Sequence, residues 1–97
     1  MYTVTVDFVV KPEHQAEFRR AILEQAQSSL AEDRGCRRFD VVVSVDDPNH
    51  IFLYELYDDL SCFEEHGRAP HTKRVSEIVG PLLVSRNLRC FETLLVT

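Results

Sequence analysis

Glycine and proline are scarce in this chain, three and four among 97 residues. So few breakers leave little room for a linker or a disordered tail, and residues 1–97 are expected to form a single domain. The three cysteines, Cys36, Cys62 and Cys90, are widely spaced and form no C-x-x-C pair. That fits reduced thiols in a cytoplasmic protein better than a disulfide framework or a zinc site. Basic residues are outnumbered, 11 against 16 acidic, for a net charge of −5. An electropositive nucleic-acid surface is therefore not expected. The short basic runs Arg19-Arg20, Arg37-Arg38 and Lys73-Arg74 read as solvated faces. No apolar run approaches the roughly 20 residues that span a bilayer. The start, MYTVTVDFVV, alternates like a strand and does not read as a basic leader. Neither a glycine-rich phosphate loop nor a serine-centred elbow occurs, so no nucleotide, flavin or nicotinamide cofactor is expected.

What is present is periodicity. Residues 2–10 alternate with a period of two and predict a half-buried strand. Pro12 suits a first helical turn, and Phe18, Ile22, Ala26 and Leu30 recur every four residues, flanked by Leu23; they predict an amphipathic helix over 12–33. Gly35 reads as its stop. A second strand over 36–45 meets the turn signal Asp46-Asp47-Pro48-Asn49, and a third covers 50–57. A short helix with Leu60 and Phe63 on its buried side is broken by Pro70. His71 opens another, carrying Val75, Ile78, Val79, Leu82 and Leu83, and Gly80-Pro81 ends or kinks it. Residues 87–96 alternate again. The order β-α-β-β-α-α-β predicts an α+β, ferredoxin-like protomer, an antiparallel sheet with its helices on one face.

The third strand is apolar on both faces: Ile51, Leu53, Glu55 and Tyr57 share one, Phe52, Tyr54 and Leu56 the other. An antiparallel sheet with one wet face should alternate instead. Helices cover one side only, so the other predicts a second copy packed sheet to sheet in a homodimer. Glu55 stands out as a carboxylate in an apolar strand, costly unless paired. Arg38, Arg89 or a histidine are its candidate partners. Tyr54 and Tyr57 project to opposite faces, so at most one of them lines a given cavity, and Tyr57 goes with Glu55.

His66 lies three residues past Phe63, and His71 four before Val75. Both fall on the buried sides of their helices, where two groups titrating near neutrality suit proton chemistry. The H-x-x-x-x-H spacing interrupted by Pro70 does not place two imidazoles on one helical face, and no metal is expected. Glu55, if it lines the cavity, should have a raised pKa and serve as base or acid.

Taken together, Arg38-Phe39-Asp40-Val41, Phe52-Leu53-Tyr54-Glu55-Leu56-Tyr57 and Phe63-x-x-His66-x-x-x-Pro70-His71-x-Lys73 resemble the antibiotic biosynthesis monooxygenase family over nearly the whole chain. The resemblance implies a dimeric α+β barrel with a small-molecule pocket between sheet and helices. It also implies cofactor-independent oxidation of quinol-like substrates by molecular oxygen, with His66, His71 and Glu55 as catalytic groups and Tyr57, Tyr54, Lys73 and Asp7 binding substrate. Some members, and the haem-degrading relatives, carry an Asn in strand one and a Trp ending strand three. Asp7 and Tyr57 stand there instead, so haem degradation is not expected. The His66–Lys73 segment resembles a second branch that isomerises a phosphorylated hydroxy-dione, in which Lys73, Arg74 or Arg86 would meet the phosphate. A non-catalytic ligand-binding domain is the remaining alternative.

Overall fold

The computed structural model describes residues 1–97. The alternating N-terminal segment forms β1, Tyr2–Val10. Pro12–His14 makes one 3-10 turn that leads into α1, Gln15–Glu32. A glycine-containing turn then delivers the chain to β2, Cys36–Val43, and a tight loop to β3, His50–Tyr57. The helices α2, Leu60–Arg68, and α3, Pro70–Val79, precede a 3-10 turn at Gly80–Leu82 and the last strand, β4, Leu83–Glu92. Every strand pairing is antiparallel and the sheet order is β2-β3-β1-β4. The protomer is thus the expected α+β, ferredoxin-like arrangement. None of its helices is long and apolar enough to cross a membrane.

The core lies between the sheet and α1 to α3. Val4, Val6, Phe8 and Val10 of β1 face it together with Ile51, Leu53 and Tyr57 of β3, Phe39 of β2 and Phe18 of α1. Phe18 is fully buried against Phe8, edge to face at 5.0 Å between ring centres. Truncation of such a ring to alanine costs about 3–5 kcal/mol, so Phe18 alone carries a sizeable part of a small domain's stability.

Three local differences from the sequence reading have physical causes. The inward line of α1 is Phe18, Ile22, Gln25 and Ser29, with Ala21 and Ala26 beside it, while Leu23 and Leu30 are about half exposed. A strict four-residue repeat drifts by about 40° per step on a helix of 3.6 residues per turn, which rotates Leu30 off the core. On α2, Cys62 and His66 are buried and Leu60 is about half exposed. The helix starts at an Asp59 cap, whose side chain accepts from the Cys62 amide at 2.9 Å, and this sets its rotation. Finally, β4 begins four residues before the expected strand over 87–96 and ends at Glu92. The Gly80–Leu82 turn stops α3 at Val79, and Leu83 enters the sheet opposite Val10.

Between α2 and α3, Ala69 is extended at φ −62° and ψ 139°. A residue before proline is pushed out of the helical region, and Pro70 then sits at the first turn of α3, where its missing amide costs nothing. This break turns His66 and His71 towards the same end of α1.

Candidate active site

The inward stripe of α1 becomes polar as it approaches its C-terminus: Gln25, then Ser29, then Asp33 at the helix cap. Asp33 Oδ2 lies 2.6 Å from His66 Nδ1, and Asp33 Oδ1 lies 2.8 Å from His71 Nε2. One carboxylate therefore bridges two imidazoles from two different helices. Ser29 Oγ adds a contact of 3.3 Å to His66 Nδ1. On the far side, His71 Nδ1 is 3.2 Å from Gln25 Oε1, and the Gln25 amide donates to Thr72 Oγ1 at 2.9 Å.

The other ring nitrogen of His66, Nε2, points to β3 and stands 3.9 Å from Glu55 Oε1. Glu55 in turn accepts a 2.6 Å hydrogen bond from the Tyr57 hydroxyl. Tyr57 is fully buried, and Glu55 is 3% exposed. These groups run as a continuous line from α3, through the end of α1 and α2, to the centre of the sheet.

Electrostatics divides the roles. Burial alone pushes the Asp33 carboxyl up, but the hydrogen bonds from His66 and His71 outweigh it and hold Asp33 below its ordinary value. Asp33 is thus an ionised acceptor, so His66 Nδ1 and His71 Nε2 donate to it. Burial lowers the basicity of His66, and Asp33 opposes that shift. The neutral ring keeps its proton on Nδ1 and presents a lone pair on Nε2. Desolvation raises Glu55 to about 7, against the pull of the Tyr57 hydroxyl and Arg86. Burial and the Glu55 charge push the Tyr57 phenol up, so it stays a donor. Burial, with Glu55 and Asp33 nearby, raises the Cys36 thiol to about 11, which makes it a packing group rather than a nucleophile.

His66 and Glu55 open on a cavity of about 330 Å³ between the sheet and the helices. Its floor is apolar, from Val6, Phe8, Phe39, Leu53 and Leu88, and Phe63, Val75 and Val79 close the helix side. Gln25, Thr72, Ser76 and Arg86 supply the remaining polar positions. No group of three or more His, Cys, Asp and Glu side chains is arranged to hold a metal ion.

The sequence profile of the family described as "Antibiotic biosynthesis monooxygenase" matches residues 1–77. The chain belongs to that family.

Among solved structures, a Nitrosomonas europaea protein provisionally named an antibiotic biosynthesis monooxygenase is 26% identical, with a TM-score of 0.93 over 98% of this chain and 100% of that one. A provisionally named Deinococcus radiodurans homologue superposes with a TM-score of 0.92 at 19% identity, covering 100% of this chain and 96% of its own. Rv0793 from Mycobacterium tuberculosis gives 0.88 at 23% identity, covering 96% and 94% respectively. The last two similarities speak for the fold alone. No curated protein sequence is significantly similar to the chain.

Within this monooxygenase-family fold, the residues singled out from the sequence separate into two groups. Glu55 and His66 line the cavity, and Tyr57 lies directly behind Glu55. His71 does not reach the cavity wall, because both its ring nitrogens are engaged by Asp33 and Gln25. Tyr54 projects from the opposite sheet face, beneath the Arg38 guanidinium at 5.5 Å. The period of two in β3 places it away from Glu55. Asp7 is on that outer face as well, 2.8 Å from His50 Nε2 and 3.3 Å from Arg89. Lys73 is exposed on α3, away from the cavity. Of the expected partners of Glu55, Arg38 pairs instead with Asp40 and Arg89 with Asp7, while the histidine is His66, with Tyr57 as a further partner.

Asp33 and Gln25 escaped the sequence reading. The signal was in α1, where continuing Phe18-Ile22 by 3.6 residues per turn reaches Gln25, Ser29 and Asp33 rather than Leu30.

Proposed function

We propose that this protein is a cofactor-independent monooxygenase that uses molecular oxygen to oxidise a quinol-like small molecule in the cavity beside His66. The observation that carries the reading is the His66 geometry: Nδ1 is tied to an ionised Asp33 at 2.6 Å, which frees Nε2 to act as a base at the cavity wall. An imidazole with its tautomer fixed by a carboxylate is a recurrent general base.

The reaction balances without a reductant. His66 Nε2 takes a phenolic proton, and the electron-rich anion passes one electron to oxygen. Recombination of the two radicals at a ring carbon forms a carbon-bound peroxide. Cleavage of its O–O bond, with loss of the proton on that carbon, expels water and leaves a hydroxyquinone. In sum, hydroquinone plus O2 gives hydroxyquinone plus water, and the substrate supplies all the electrons. Glu55, with a carboxyl raised to about 7, can return a proton to the departing oxygen. The apolar floor limits water and favours placement of a flat ring.

The working unit in this reading is a homodimer in the cytoplasm. The outer sheet face carries Phe52, half-exposed Tyr54 and Phe91, and a buried Thr5 hydroxyl without a hydrogen-bond partner, and no helix covers it. A second copy of the same sheet supplies the cover.

Oxygen uptake with a panel of hydroquinones tests the oxygenase reading. Stoichiometric uptake with hydroxyquinone formation supports it, and the absence of uptake across the panel rejects it. Arg86 favours one alternative. It is the one arginine that lines the cavity, and it forms no salt bridge there. A free cation there suits isomerisation of a phosphorylated hydroxy-dione, with His66 and Glu55 moving the proton. Solvent deuterium exchange into such a substrate without oxygen use selects that alternative.

A further inference from the structure

We propose that His71 is a positioning residue that acts on His66 through Asp33, holding the carboxylate so that its second oxygen meets His66 Nδ1. The inference rests on the reading of His66 as the cavity base and extends it to a residue that never touches the cavity.

Asp33 is costly where it stands. Its side chain is 7% exposed and sits at the C-terminal end of α1. A helix dipole disfavours negative charge there, and burial disfavours it further. Packing alone gives no reason for a carboxylate at this point. The two imidazoles are what make it tenable, one on each oxygen. They are not equivalent. His66 has a free nitrogen at the cavity, whereas His71 is engaged on both sides, by Asp33 at 2.8 Å and Gln25 at 3.2 Å. Gln25 is anchored in turn by Thr72. His71 is therefore the fixed end of the line and His66 the working end.

A shared acceptor has a further consequence. Asp33 raises the His66 pKa through its hydrogen bond and its charge, so a carboxylate released from His71 and free to turn away loses part of that effect. His71 thus sets both the direction of the His66 ring and the pH at which it titrates. The other groups facing His66 are Ser29 and Asp33 from α1 and Glu55 and Tyr57 from β3, with Arg86 and Asp33 acting on Glu55.

The test is a nitrogen-15 NMR titration of His66 in the ligand-free protein, which needs no substrate. A glutamine side chain places its amide about where imidazole Nε2 sits, and asparagine about where Nδ1 sits. His71→Gln keeps the hydrogen bond to Asp33 and removes the direct electrostatic effect of the imidazole, so His66 is expected to titrate at or slightly above the wild-type midpoint. His71→Asn and His71→Leu release Asp33 from the alignment that raises the His66 pKa, and are expected to lower its midpoint by about one pH unit. Equal midpoints in His71→Gln and His71→Asn overturn the proposal, and this comparison stands even if His71→Leu fails to fold. Asp33→Asn provides the complementary arm: it is expected to lower the midpoint and remove the difference between His71→Gln and His71→Asn. A difference between those two variants that persists in Asp33→Asn does not run through the carboxylate, and overturns the proposal. Midpoints that move as expected while the pH–rate profile stays fixed would instead reject His66 as the base and leave the positioning role intact.

Discussion

Asp33 Oδ2 lies 2.6 Å from His66 Nδ1, and Asp33 reaches that position as the end residue of a helix whose inward stripe has turned polar. The contact joins the C-terminus of α1 to the last turn of α2 and leaves His66 Nε2 facing the cavity and Glu55. The chemistry proposed for the protein depends on this pair.

Asp33→Asn is expected to reduce turnover by on the order of 100-fold or more, since positioned general bases contribute about 10²–10⁴. The amide cannot hold the imidazole proton on Nδ1 as an ionised carboxylate does. Substrate affinity should change little, because Asp33 does not line the cavity. Steady-state oxygen uptake separates the two effects, and a loss confined to KM would contradict the assignment.

The pH dependence of stability should carry the mark of Glu55. Its folded-state pKa is raised from 4.5 to about 7, so between those values the folded form binds the proton that the unfolded form releases. Stability therefore falls as pH rises through this window, by up to about 3 kcal/mol if Glu55 acts alone. Glu55→Gln keeps an acceptor for Tyr57 and should remove the Glu55 share of the change, leaving the opposite rise from His66, whose folded-state pKa is lowered. Urea melts at pH 4.5 and pH 8 measure it, and an unchanged difference in the variant would refute the account. Asp33 acts in the opposite sense. Its folded-state pKa is lowered, so its contribution is present above the unfolded value and is lost as the pH drops through the folded one.

Gly35 occupies the left-handed region at φ +74°, and a Cβ there would overlap Cys62 Sγ. Gly35→Ala is expected to cost roughly 2 kcal/mol or more from backbone strain and overpacking together. Cys62→Gly in the same chain should return part of that loss, as seen by denaturant midpoint. Additive losses would show that Cys62 is not the obstacle.

The uncovered sheet face predicts a dimer at micromolar concentration. Light scattering should give twice the protomer mass, and Tyr54→Lys should shift it to one copy by placing an ammonium at the centre of that face. A monomeric wild-type protein would contradict the arrangement.

The fold was largely legible in the sequence because its strands alternate cleanly: β1 and β3 fall on the expected residues, and the order of elements holds throughout. β4 was harder to place, since Leu82-Leu83-Val84 reads equally as the end of a helix or the start of a strand, and only the Gly80–Leu82 turn decides. Half of the candidate site was visible in the same way. Glu55 and Tyr57 are two residues apart on one face of one strand, and their hydrogen bond follows from the pleat. Asp33 was not visible, because its partners lie 33 and 38 positions away and meet it only when three elements pack. Tyr54 and Asp7 were misplaced for a simpler reason: a residue's chemistry does not say which sheet face is open to the cavity.

The central claim is that His66 removes a proton from the substrate, and a series of hydroquinones of decreasing phenolic pKa tests it most directly. The quantity to measure is the ratio of wild-type to His66→Gln oxygen-uptake rates across the series at pH 7. The account predicts a ratio on the order of 100 or more for ordinary hydroquinones. It should fall towards one for substrates that are already ionised and need no base. A ratio that stays constant across the series, or equals one throughout, would contradict it.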